Sequence, residues 1–140
     1  MPTFYQITSY IKHKLYEIDE HSLHSPSLFK LYQDCFKRAK EIPADKSIEN
    51  IRIRFRNDER SINITDFGAG SKISAENSRT IQSIARGGIT TLKYSRLFQE
   101  LIRNYGCRNI IEFGTSLGIN TMYLASSNPD ARIWTFEGCM

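Results

Sequence analysis

Apolar side chains recur along the first part of this chain in steps of three and four; the pattern then changes to short unbroken apolar runs. From Thr3 to Asp19, the residues Phe4, Ile7, Ile11, Leu15 and Ile18 share one helical face. After His21-Ser22-Leu23-His24-Ser25-Pro26 a second helix is predicted. Ser25 can accept a backbone N–H as its cap, and Pro26 suits the first helical position. Leu28, Leu31, Tyr32, Cys35, Phe36 and Ala39 keep helical spacing, and Pro43 marks the end. Ser47 to Glu59 reads as a short helix, although Ile51, Ile53 and Phe55 also alternate as in a strand. Ser61 to Phe67 is a predicted strand running into Gly68-Ala69-Gly70. Ser78 to Ala85 is predicted helical, stopped by Gly87-Gly88. The clearest helix is Thr91 to Tyr105, where Tyr94, Leu97, Phe98, Leu101, Ile102 and Tyr105 form one apolar stripe, expected to be core, before Gly106 as C-terminal cap.

Beyond Gly106 the period is different. Asn109-Ile110-Ile111-Glu112-Phe113 has the short apolar run of a buried parallel strand. Gly114-Thr115-Ser116-Leu117-Gly118 is a tight turn, Ile119 to Ser127 is helical, and Asn128-Pro129-Asp130 is a loop. Arg132-Ile133-Trp134-Thr135-Phe136 is a second strand ending at Glu137-Gly138. Strand, glycine turn, helix and strand make a βαβ unit within about 30 residues.

Composition narrows the classes. The 140 residues are 40% hydrophobic, 11% aromatic and 24% charged, values of an ordinary globular chain rather than a disordered one. No apolar run approaches the roughly 20 residues of a membrane helix, and the start has neither a basic nor an apolar leader segment, so no secretory signal is expected. The net charge of +4 is mild. Its sharpest local excess, Arg52, Arg54, Arg56 and Arg60, is interrupted by Asp58 and Glu59 and reads as a solvated helix face rather than a nucleic-acid surface. Cys35, Cys107 and Cys139 are odd in number and far apart, without metal-ligand spacing, which points to reduced thiols in the cytoplasm.

The βαβ unit carries a nucleoside-binding logic. Gly114 lets the chain turn sharply out of the strand, and Gly118 is expected to let the helix start pack close to strand and ligand. Glu137 lies 19 residues beyond Gly118, and an acidic side chain about 20 residues past such glycines can accept the hydroxyl hydrogens of a ribose. A dinucleotide fingerprint is G-x-G-x-x-G, whose second glycine lets the backbone approach a pyrophosphate. Here that position is Ser116 and the pattern is G-x-x-x-G. S-adenosylmethionine has a ribose and no phosphate. Glu112, ahead of the turn, would repel a pyrophosphate but suits the cationic amino group of a methionine moiety. These residues favour S-adenosylmethionine over NAD.

The run Glu112-Phe113-Gly114-Thr115-Ser116-Leu117-Gly118 resembles the E-x-G-T-x-x-G first motif of class I S-adenosylmethionine-dependent methyltransferases, particularly the small-molecule O-methyltransferase-like branch. Ile119 to Ala125 looks like the helix after it, and Trp134-Thr135-Phe136-Glu137-Gly138 resembles the second motif. His21 to Pro26 and Asp66-Phe67-Gly68-Ala69-Gly70-Ser71-Lys72 are similar to the N-terminal extension of a bacterial branch. The resemblance implies an α/β fold: a mainly helical extension over residues 1–88, with a short strand near 61–67, then the first βαβ unit of a Rossmann-like methyltransferase sheet over 89–140. It implies that Glu112, Gly114 and Gly118 line the methionine side, that Thr115 and Ser116 offer backbone or hydroxyl contacts, and that Glu137 holds the ribose. The family builds its adenine pocket and acceptor site after later strands, so the chain is expected to be the truncated front portion of such an enzyme, inactive by itself. No catalytic residue is identifiable. The expected partner is a small-molecule acceptor, with self-association through an exposed sheet edge as a further expectation.

Other motifs have plainer readings. Asp66-Phe67-Gly68-Ala69-Gly70 looks like a second glycine loop, but the next acidic residue, Glu76, is only six past Gly70, and helix rather than a parallel strand is expected to follow. It reads as a structural turn. His21 and His24 lack further ligands for zinc, so no metal is expected. Two alternatives to the methyltransferase stay open: an NAD-binding oxidoreductase fragment, which Ser116 disfavours, and a non-catalytic helical interaction module.

Overall fold

The computed structural model describes residues 4–16, 22–64 and 78–138. The chain is mixed α/β, with helices and two separate two-stranded sheets among the described residues. It divides into two compact units, Met1–Gln33 and Asp34–Met140. No helix of the described residues is long and apolar enough to cross a membrane.

The first unit holds α1 (Phe4–Leu15) and α2 (Pro26–Leu31). α1 keeps the helical spacing of Phe4, Ile7, Ile11 and Leu15, yet none of its residues is buried. Ser25 caps α2 as its hydroxyl chemistry requires, accepting the Leu28 N–H at 3.5 Å, with Pro26 at the start. The helix predicted to continue to Ala39 does so with a change of winding: Tyr32–Lys37 is a π-helical stretch, followed by α3 (Arg38–Glu41). Cys35 is fully buried within that stretch. Burial, then the charges of Asp34 and Glu100, push its thiol pKa up.

In the second unit α4 (Lys46–Arg56) settles the helix-or-strand ambiguity of Ile51, Ile53 and Phe55 in favour of helix. Asp45 decides it, because its carboxylate accepts the Ser47 and Ile48 N–H groups at 2.8 and 3.3 Å and satisfies the exposed first turn. β1 (Ser61–Asn63) pairs antiparallel with β2 (Ser78–Thr80), Ser61 opposite Thr80. The expectation of helix from Ser78 is therefore corrected: Ser78–Thr80 is extended. The helix α5 (Ile81–Gly87) begins only after Thr80, whose hydroxyl caps it by accepting the Ser83 N–H at 3.1 Å. Of the predicted strand Ser61 to Phe67 the first three residues pair; the glycine turn Asp66 to Lys72, like His21 and Cys139, lies outside the described residues.

α6 (Leu92–Tyr105) ends at Gly106, in the left-handed conformation at φ 58°, as predicted. The stripe predicted to be core holds only in part: Ile102 is buried and Leu97 and Leu101 are half-buried, but its three aromatic members are not covered. Ser95, Gln99, Glu100 and Ile102 are the buried residues, while Tyr94, Phe98 and Tyr105 are exposed. The reason is pairing. Ser95 donates to Asn120 Oδ1 and Gln99 to Ser126 across to α7 (Ile119–Ser127), and Glu100 is ion-paired with Arg38 and Arg103.

The predicted βαβ unit is present: β3 (Asn109–Phe113), α7 and β4 (Arg132–Phe136), with the two strands parallel and Asn109 opposite Arg132. The alternation of strand side chains separates two faces. Ile110 and Glu112 lie opposite Ile133 and Thr135 on one face. Ile111 and Phe113 lie opposite Trp134 and Phe136 on the other. The core gathers where α4 meets α7: Ile48, Ile119 and Tyr123, with Ile51, Phe55, Ile89, Leu92 and Met122 packed against them.

Candidate functional site

The six residues singled out in the sequence meet at the carboxyl ends of β3 and β4. The turn between β3 and α7 carries three positive φ angles: Gly114 at 91°, Ser116 at 48° and Gly118 at 73°. Glycine takes such angles without a Cβ penalty. The expected close packing at Gly118 is not what selects glycine there, because an added Cβ at Gly114 or Gly118 meets no atom within 4 Å. The sign of φ is the demand, and the space in front of both glycines is open.

Glu137, at the end of β4, turns its carboxylate back onto this turn and accepts the Ser116 N–H at 2.6 Å. The acidic residue and the glycine turn are thus one cluster, although 21 residues separate the bonded pair. Both side chains are exposed, which leaves them accessible to a ligand.

Glu112 is different. It is buried, and its carboxylate is held from three sides. Asn120 Nδ2 donates to Oε1 at 2.8 Å, while Thr121 and Thr135 donate to Oε2 at 2.5 and 2.8 Å. Thr115 and Thr135 hydroxyls lie 2.5 Å apart. Because Thr135 gives its single hydrogen to Glu112, Thr115 is the donor of that pair. The chain of hydroxyls therefore ties the turn, β4 and the first turn of α7 to one carboxylate. Ser95 extends it into α6 through Asn120.

A groove of about 530 Å³ runs between α6 and β3, where Phe98, Leu101 and Tyr105 face Ile111, Glu112 and Gly114. Of the candidate residues Glu112 and Gly114 line it; Thr115, Ser116, Gly118 and Glu137 stand at the strand tips outside its lining.

Sequence reasoning missed Asn120, Thr121 and Thr135. A signal was present: Thr135 is a hydroxyl residue inside an apolar strand, on the same face as Glu112. The pair Asn120-Thr121 stands in the first turn of a helix whose middle, Met122 to Ala125, is apolar. Among the described residues no group of three or more His, Cys, Asp or Glu could hold a metal ion. No family model matches this chain, and no curated protein or solved structure matches it.

Proposed function

We propose that this chain carries the cofactor-binding first half of a class I S-adenosylmethionine-dependent methyltransferase acting on a small-molecule acceptor in the cytoplasm. One observation carries the reading: the Glu137 carboxylate and the Gly114–Gly118 turn meet at the tips of two parallel strands, with the Ser116 N–H 2.6 Å from Glu137. Open α/β sheets bind ligands at those tips. The residues fit the cofactor. The space before Gly114 and Gly118 is open, the turn contains no Lys or Arg that would call for a phosphate, and Glu137 offers a ribose an acceptor. The bound cofactor supplies an electrophilic methyl group on a sulfonium. The chain's own part is to seat it: Gly114 and Gly118 shape the turn, Thr115 and Ser116 present polar atoms, and Glu112 fixes the turn from below. Alignment of this kind is the protein's main lever in a displacement reaction. The free thiols of Cys35 and Cys107 fit a reducing compartment.

Isothermal titration of the chain with S-adenosylhomocysteine, beside NAD and a Glu137→Ala variant, tests the reading. S-adenosylhomocysteine is expected to bind, at least about tenfold more weakly to the variant, and NAD to bind poorly. A folded chain that prefers NAD, or ignores S-adenosylhomocysteine, overturns it. The second reading is a non-catalytic interaction module. The exposure of every residue of α1, including Phe4, Ile7, Ile11 and Leu15, favours it, and indifference to all nucleosides would leave it standing.

A further inference from the structure

β3 is paired along one edge and open along the other. The Gly114 N–H donates to the Phe136 carbonyl at 2.7 Å, and the Arg132 N–H donates to the Arg108 carbonyl at 2.8 Å. Along a strand the N–H and C=O of one residue share a side, and successive residues alternate. Ile110 and Glu112 therefore face β4, while Asn109, Ile111 and Phe113 turn their backbone groups away from it. Among the described residues those outward groups have no hydrogen-bond partner. The open edge lies in the groove between α6 and β3: every residue from Asn109 to Gly114, whichever face its side chain takes, lines the groove with Phe98, Leu101 and Tyr105. Chains guard such an edge with lysine, proline or a bulge, and β3 has none of these. Its single charge, Glu112, is held in the hydrogen bonds of Asn120 and Thr121. β4, by contrast, opens with an exposed Arg132.

We propose that the open edge of β3 pairs with the same edge of a second copy of this chain, antiparallel and centred on Ile111, to join the two sheets across a two-fold axis. The inference is independent of the cofactor reading. One register satisfies every outward group. With Ile111 opposite the partner's Ile111, Asn109 falls opposite the partner's Phe113. Residues so opposed exchange both of their hydrogen bonds, so each outward N–H and C=O finds its complement. Centring on Ile110 or Glu112 instead sets Phe113 or Asn109 opposite a residue outside β3. Because the edge meets itself, the contact closes at two copies. A two-fold axis normal to the sheet places both α6 helices on one side of it. Phe98 and Tyr105, 38 and 63% exposed beside the groove, then close on the partner's α6. Phe98, Tyr105, Ile111 and Phe113 leave on the order of 500 Å² of apolar surface open per copy. A stable complex buries roughly 800 Å² per partner. The dimer is thus of the weak class, with a Kd on the order of 10 μM.

The test is sedimentation of the full chain from about 1 to about 200 μM, a range that brackets such a Kd, with amide exchange followed residue by residue at both ends. A monomer–dimer equilibrium is expected. Exchange at Asn109, Ile111 and Phe113 should slow about fivefold at the high concentration, as mass action fills the dimer. Ile110 and Glu112, whose amides already face β4, should not change. Ile111→Lys sets two like charges face to face on the axis, at a position 62% exposed in the single chain. It should weaken association at least about tenfold. A chain that stays monomeric throughout the range overturns the proposal. So does a dimer whose Asn109, Ile111 and Phe113 amides exchange as in the monomer, or one that a folded Ile111→Lys leaves intact, since either places the contact on another surface. Should Ile111→Lys fail to fold, the alternating exchange pattern of the wild type decides.

Discussion

The two faces of the β3–β4 sheet are built from the same strands and end up in opposite conditions. On the inner face Glu112 and Thr135 are drawn into a hydrogen-bonded knot with Asn120 and Thr121 of α7. On the outer face Ile111, Phe113, Trp134 and Phe136 are 62, 84, 45 and 54% exposed. α6 repeats the contrast, with its polar Ser95, Gln99 and Glu100 buried and its Tyr94 and Tyr105 open. Along the β3–β4 sheet and α6, polar residues with specific partners are buried while several large apolar side chains border solvent. The lesson is that burial follows partner geometry: a buried polar group is tolerated when each of its bonds is made.

The sharpest way to break that comparison is to remove the carboxylate. Glu112→Ala leaves the donors of Asn120, Thr121 and Thr135 without their shared acceptor. We expect a loss of about 3 kcal/mol in denaturant unfolding. Glu112→Gln, which keeps one acceptor oxygen, is expected to lose less. Equal losses would show that the charged carboxylate, not the shape of the side chain, holds the inner face.

Next in size is Tyr123, fully buried on α7, whose hydroxyl donates to Glu49 Oε1 at 2.8 Å. Glu49 also accepts from the buried Arg52, whose Nη1 reaches the Thr90 carbonyl at 2.8 Å. Tyr123→Phe is expected to cost about 1 kcal/mol. The same residue sets a pH limb. Burial, then the hydrogen bond to Glu49 and that carboxylate's charge, push the Tyr123 phenol from its ordinary 10.0 up to about 12. The folded state holds the neutral form more firmly than the unfolded state does. The stability this contributes is complete below about pH 10 and is lost as pH rises through about 12. Unfolding measured across that window should fall more steeply for wild type than for Tyr123→Phe. Parallel curves would show that the phenol is not closed off from water.

The sequence made local features legible wherever one residue's chemistry decides the backbone. Ser25 with Pro26, the left-handed Gly106, and the order of β3, turn, α7 and β4 were all readable for that reason. So was the meeting of Glu137 with the glycine turn, since two parallel strands joined by a helix bring their ends to one side. What stayed hidden depended on partners distant in sequence. Ser78–Thr80 is a strand only because Ser61–Asn63 lies beside it. The stripe on α6 looked like core because periodicity reports a face and not what covers it. Glu112 gave the signal of a ligand contact, while the groups that hold it come from α7 and β4.

The smallest expected effect makes the other half of the comparison. Phe113 stacks on Phe136 with ring centroids 5.8 Å apart, and both rings are largely exposed. Phe113→Ser removes that contact and little buried area, so a loss of only about 0.5–1 kcal/mol is expected. Binding of a hydrophobic dye should fall at the same time, because the apolar patch shrinks. A loss near that of Glu112→Ala would mean that the outer face is covered in solution, since truncating a ring costs several kcal/mol only where it is packed on all sides. The contrast between the faces would then belong to the isolated chain alone, and the inner knot would be one of two packed layers around a common sheet.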